Sequence, residues 1–279
     1  MTAPTFLHLG PGKAGSTWVH ETLLTHPEVY LTPAKDLYFF SRYYDRGRQW
    51  YVDQFAEAPP SCGVVGEVCP DYLATPEAPR RIVETLGDSV RLAVTLRDPV
   101  DRSFSSYLYL KKHGLASPTF VQTAQRHPEL VEEGRYGTQL RRYAELFNRS
   151  LIHIGLFDDL EENPQGLFDG LTDFLGVSRL TLTPDQLGAK LPASKARFLP
   201  LAVAAQRTAG LIRRFDGADL VGKVKRSALV QKALYRPLGD DRPELAEADR
   251  DRLREELMPE MLIVRDEFGV DVISRWGWS

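Results

Sequence analysis

Residues 5–19 read TFLHLGPGKAGSTWV. The apolar positions Phe6, Leu7 and Leu9 suit a buried strand. Gly10, Gly12 and Gly15 let the backbone turn sharply and approach a ligand closely. Ser16 and Thr17 then open a helix, whose first N–H groups lack partners and carry partial positive charge. The segment therefore gathers Lys13, two hydroxyls and several amides around one point, and the expected ligand is a phosphate or sulfate. The spacing is not that of a nucleotide triphosphatase P-loop, in which Gly-Lys is followed directly by Ser or Thr. Here Lys13 lies three positions before Ser16, and Gly15 intervenes. On this loop alone, glycines that serve only the turn are the plainer alternative.

A second cluster follows the buried-strand candidate VRLAVTL (90–96): RDPVDRSFSSYLYLKKHG, residues 97–114. Arg97 falls at the carboxyl end of a strand, where open α/β sheets bind ligands. Pro99 suits a helix start, because its missing N–H is not needed there. Arg97 and Ser105 meet on one anion only if it lies along the helix flank. Asp98 and Arg102 read as a helix-end ion pair, and Tyr107 and Leu110 as core.

Strands at 5–9, 63–67, 90–96 and 151–154 alternate with helices at 15–26, from near Pro76, at 99–113, near 136–147 and at 165–175. The last of these follows a turn at Asn163-Pro164. That alternation predicts an α/β fold, a P-loop-like parallel sheet flanked by helices. Three of the strands end in Gly10, Glu67 and Arg97. Residues 1–279 read as a single domain without a linker. Residues 195–236 carry ten basic residues against two acids, a net of +8. They form either a basic helical lid over an anionic ligand or a solvated helix face. Residues 243–278 read as an amphipathic helix capped by Trp276 and Trp278.

The formal charge of −3 and pI near 6.1 give no reason to expect nucleic acid as a partner. No apolar run approaches membrane-spanning length, and no basic-then-apolar leader opens the sequence, so the expected location is cytoplasmic. Cys62 and Cys69 match no metal or redox spacing and are expected to be buried and reduced. The histidines form no ligand pair, and no metal site is expected.

Taken together, the two clusters resemble the sulfotransferases that use 3′-phosphoadenosine-5′-phosphosulfate (PAPS), above all the heparan-sulfate N- and 3-O-sulfotransferases and their bacterial relatives. The similarity extends to HPEVYLTPAKDLYFF (26–40), GEVCPDYLATPEAPRRI (66–82) and SKARFLP (194–200). It implies metal-independent, in-line transfer of a sulfuryl group from PAPS to an acceptor hydroxyl or amine, leaving PAP. It places Gly12, Lys13, Ala14, Gly15, Ser16, Thr17 and Trp18 around the 5′-phosphosulfate, with Lys13 at the oxygen bridging phosphorus and sulfur. Arg97 and Ser105 fall to the 3′-phosphate, and Ser194, Lys195, Ala196 and Arg197 to a loop closing over the cofactor. Asp36 stands where the heparan-sulfate enzymes carry a catalytic glutamate, and Glu67 is either a second candidate base or a residue that orients Lys13 or the acceptor. Val68 replaces a lysine common in the animal enzymes, with Lys35 a possible substitute. Tyr38 and Tyr136, with Lys35, are expected to line the acceptor pocket. A nucleotide kinase or NTPase and a non-catalytic PAP-binding module are the competing readings.

Overall fold

The computed structural model describes residues 3–188 and 243–278, together with the backbone of two short strands at 194–196 and 235–237. Among these residues the central sheet has five parallel strands in the order β2–β3–β1–β4–β5: β1 (Phe6–His8), β2 (Val29–Leu31), β3 (Val64–Val68), β4 (Arg91–Leu96) and β5 (Ile152–Leu156). Each strand is followed by helical structure. Helix α1 (Ser16–Leu23) follows β1. Helices α2 (Phe39–Arg42) and α3 (Gly47–Asp53) follow β2, and α4 (Ala78–Leu86) follows β3. After β4 come α5 (Pro99–Lys112), α6 (Phe120–Arg126), α7 (Glu129–Glu132) and α8 (Tyr136–Ala144). After β5 come α9 (Phe157–Glu162), α10 (Pro164–Leu175) and α11 (Pro184–Leu187). Strands β6 (Ser194–Ala196) and β7 (Tyr235–Pro237) pair antiparallel, and α12 (Glu247–Phe268) and α13 (Val272–Trp276) close the chain.

Strand alternation divides the core into two apolar layers. Leu7, Leu9, Val65, Leu92, Val94 and Leu96 face a layer built with Phe39, Phe40, Val100, Leu140, Leu257 and Met261. Phe6, Val64, Val68 and Ala93 face the other layer, with Trp18, Val19 and Leu23 of α1 and Phe168, Leu171 and Leu175 of α10. The parallel sheet is thus buried on both faces, as crossover helices require. The chain leaves β1 toward β2 on one side and leaves β4 toward β5 on the other. The crevice between the carboxyl ends of β1 and β4 is therefore the topological switch point, where ligands bind such sheets.

Several expectations need correction. Helix α1 ends at Leu23 rather than near residue 26, and β2, a three-residue strand just after His26-Pro27, was not anticipated. The tail is two helices broken at Gly269 (φ 72°), not one. Trp276 and Trp278 are buried in the core. Cys69 is buried but Cys62 is only half-buried, and both are free thiols. Asp98 and Arg102 do not pair. Asp98 caps α5 by accepting from the Val100 and Asp101 amides at 2.8 and 3.2 Å, and its other oxygen accepts from the Trp278 indole at 2.9 Å. Arg102, wholly buried, pairs instead with Glu133 at 2.8 Å. Most of the basic 195–236 segment, including Arg197, lies outside the described residues.

Candidate active site

The loop between β1 and α1 is held open by its own backbone. Gly10 has φ +100°, and a Cβ there would fall 2.4 Å from the Pro70 carbonyl oxygen, so only glycine fits. Its amide donates to His8 Nδ1 at 3.3 Å, which leaves His8 Nε2 as donor toward Thr95 Oγ1 at 3.0 Å. Burial, then Lys35 and His153, push the His8 pKa down to about 3, so it stays neutral in this role. Gly15, left-handed at φ +84°, caps α1 without any side-chain bond. The first α1 amides, those of Ser16, Thr17 and Trp18, are thus the orphan donors of a helix start. The Trp18 side chain leaves the loop: its indole donates to the Gln186 carbonyl at 2.9 Å and its ring packs edge-on against Phe168. Only the Trp18 backbone can serve a ligand at the loop.

Lys13 sits in this loop with a left-handed backbone, φ 69°. Its Nζ lies 3.7 Å from the centre of the Tyr109 ring, a close cation–π contact. Burial, then Lys112 and Lys35, lower its pKa to about 8, against an opposing pull from Glu133. Lys112 is lowered to about 8 by burial as well. Ser105, Tyr109 and Lys112 fall at helical spacing on α5 and so share one face. Arg97, just past β4, donates from Nη1 to the Lys13 carbonyl at 3.1 Å, and its guanidinium lies 4.5 Å over the Phe157 ring. The two clusters singled out in the sequence therefore meet across the β1–β4 crevice. The backbone of β6, which holds Ser194, Lys195 and Ala196, runs close to α5.

The turn after β2 brings the carboxylates. Asp36 and Tyr38 are both left-handed, at φ 67° and 56°, although neither is glycine. Such residues cluster at functional sites, where surrounding structure must hold them. The Asp36 amide donates to the Val68 carbonyl at 3.1 Å, and its carboxylate pairs with Lys35 at 2.7 Å. Tyr38 stacks beneath the Arg42 guanidinium at 4.3 Å, and Arg42 donates from Nε to Asp71 at 2.9 Å.

Glu67 departs from the expectation of an accessible base: it is 1% exposed. Its Oε1 accepts from the Tyr51 hydroxyl at 2.7 Å and the Tyr72 hydroxyl at 3.0 Å. Its Oε2 makes no hydrogen bond of good geometry among the described residues, although the Leu37 amide is placed to favour the carboxylate. Burial raises its pKa to about 7, against the two tyrosines and with help from Asp36. Tyr136, expected at the acceptor pocket, is fully buried, and its hydroxyl donates to the Arg97 carbonyl at 2.9 Å. Tyr51, Tyr72, Tyr109 and Phe157 were missed, since nothing local in the sequence links them to the charged groups they touch. Among the described residues, no cluster of His, Cys, Asp and Glu is placed to hold a metal ion.

No protein-family model matches the chain. A human heparan sulfate glucosamine 3-O-sulfotransferase 3B1 is 31% identical over 186 residues, 63% of this chain and 47% of that protein. A membrane-associated sulfotransferase, kil1, of Dictyostelium discoideum is 33% identical over 106 residues, 37% of this chain and 22% of its own. The crystal structure of a sulfotransferase from Alicyclobacillus acidocaldarius superposes with a TM-score of 0.70 at 20% identity, covering 99% of this chain and 100% of that one. The chain has the sulfotransferase fold. It spans about half the length, or less, of the curated relatives it matches. The sulfotransferase fold accounts for the strand order and the β1–β4 crevice. Among the described residues, no helix is long and apolar enough to cross a membrane.

Proposed function

We propose that this chain transfers a sulfuryl group from PAPS to a hydroxyl or amine of an acceptor. The carrying observation is the Arg97–Lys13 contact, which joins two anion-binding loops at the sheet's switch point. The loop fits a phosphosulfate: a desolvated lysine with no carboxylate partner among the described residues stands beside an uncapped helix start. When bound, PAPS supplies the activated sulfuryl group and leaves as PAP.

The chain's own residues then align groups and offset charge, as in phosphoryl transfer. The amides of Ala14 to Trp18 and the hydroxyls of Ser16 and Thr17 hold the 5′-phosphate, with Gly12 and Gly15 allowing close approach. Lys13 neutralises the charge that develops on the departing bridging oxygen. Arg97 and Ser105 read the 3′-phosphate. Ser194, Lys195 and Ala196 belong to the cofactor side, a reading favoured by the passage of the β6 backbone beside α5, while Arg197, expected beside them, lies outside the described residues. Asp36, oriented by Lys35, takes the acceptor proton as the acceptor oxygen or nitrogen bonds to sulfur. Tyr38 walls the acceptor side. Two free thiols suit a cytoplasmic setting.

Calorimetry with PAP and a transfer assay with labelled PAPS over an acceptor panel test this reading. Asp36→Asn is expected to bind PAP like the wild type yet transfer about 10²–10⁴-fold more slowly. A wild-type chain that binds no PAP would refute the proposal.

A further inference from the structure

Glu67 raises a physical problem. A carboxyl that is 1% exposed is costly to keep. It also lies out of reach of an acceptor, because a general base must come within hydrogen-bond distance of the proton it removes. Its partners show what it holds instead. The Tyr72 hydroxyl donates to Glu67 Oε1 and accepts from the Phe39 amide at 2.9 Å. The Tyr51 hydroxyl donates to the same oxygen, and the Tyr51 ring stacks on the Phe39 ring at 4.4 Å and 11°. Both phenols bound by Glu67 therefore grip Phe39, one at its amide and one at its ring.

Phe39 is the first residue of α2 and immediately follows the strained turn from Asp36 to Tyr38. The side chain of Tyr38, at the cap position, does not cap that helix, and Tyr72 satisfies the Phe39 amide inside an apolar core. The turn is pinned at its other end by the Asp36 amide on the Val68 carbonyl, one residue beyond Glu67. The end of β3 thus holds the turn twice, through backbone at Asp36 and through a carboxylate–phenol relay at Phe39. We infer that Glu67 is a positioning residue for Asp36, fixing the strained turn that carries it by way of Tyr51, Tyr72 and Phe39. The inference rests on the reading of Asp36 as general base.

The test compares Glu67→Gln, Glu67→Leu and Tyr72→Phe, alone and in an Asp36→Asn background. Hydrogen exchange at the Phe39 amide reads the relay without any activity. It is expected to quicken about tenfold or more in Tyr72→Phe and Glu67→Leu and less in Glu67→Gln, where an acceptor oxygen remains. PAP affinity stays within about twofold, while transfer falls about 10–100-fold, in line with loss of a charge-assisted bond. In the Asp36→Asn background the further loss shrinks to about twofold, because residues acting through one group are non-additive. Unchanged Phe39 exchange would overturn the inference. So would a Glu67→Gln loss matching that of Asp36→Asn beside a wild-type Tyr72→Phe, which would make Glu67 the reacting base. A wild type without PAP binding refutes the proposed function instead, and leaves the Phe39 exchange to decide the relay.

Discussion

The lowered pKa of Lys13 makes PAP binding pH-dependent in a way that can be worked through. In the free protein Lys13 titrates near 8, because burial and two neighbouring lysines disfavour its cation. A bound 5′-phosphate favours that cation, so the bound-state pKa is higher and binding above pH 8 must take up a proton. With a free-state pKa of about 8, the cationic fraction falls from roughly nine-tenths at pH 7 to one-tenth at pH 9. PAP affinity is therefore expected to weaken about tenfold, or about 1.4 kcal/mol, over that interval, where phosphate groups are already ionised. Titration calorimetry at pH 7, 8 and 9, in buffers of different ionisation enthalpy, reads both the affinity and the proton uptake. Lys112 also titrates near 8, so the variants must separate the two. Lys13→Arg keeps its charge throughout and should bind with a flat profile, whereas Lys13→Ala should bind weakly and lose the slope. Turnover of Lys13→Ala is expected to fall about 10²–10³-fold. Because burial penalises the Lys13 cation in the folded state, its removal should not lower the thermal midpoint at pH 7. A wild-type affinity that is level from pH 7 to 9, or a slope that persists in Lys13→Arg, would refute the reasoning.

Arg97→Ala is expected to weaken PAP far more than adenosine 5′-phosphosulfate, by about 1.5–3 kcal/mol, and competition binding with both ligands checks the difference. Asp98→Ala removes two cap bonds to α5 and the Trp278 indole bond, so it should cost about 1–2 kcal/mol in denaturant unfolding. Trp278→Phe, which loses only the indole bond, should cost less, and equal losses would argue against the cap.

What could be read from the sequence was local. The β1 loop and Arg97 announce themselves because parallel strands deliver their carboxyl-end turns to one edge, and Gly, Lys and Arg mark those turns directly. Tyr109 does not: helical spacing puts it on a face with Ser105, but only the packed α5 shows that this face meets the Lys13 ammonium. Strand β2 is three residues long, too short for alternation to register. Glu67 misleads for a different reason. Charged residues are rarely wholly buried, so a glutamate near a strand end reads as accessible. Its burial depends on two tyrosines contributed by α3 and by the segment after β3, a juxtaposition made only by the tertiary fold.

The same contrast bears on Val68, where the resemblance led one to look for a lysine. Val68 is fully buried on the α1 side of the sheet, and its carbonyl is the anchor for the Asp36 amide. A cation at that residue would have to leave the apolar layer that Val68 shares with Phe6 and Trp18. The positive charge beside the carboxylate comes instead from Lys35, 2.7 Å from Asp36 and close enough to Lys13 and His8 to disfavour their cations. The β2 turn thus carries both the proposed base and a lysine, while β3 contributes the scaffold that keeps them in place. On that division of labour, changes at Lys35 should disturb the chemistry, and changes at Val68 should act chiefly on the geometry of the turn.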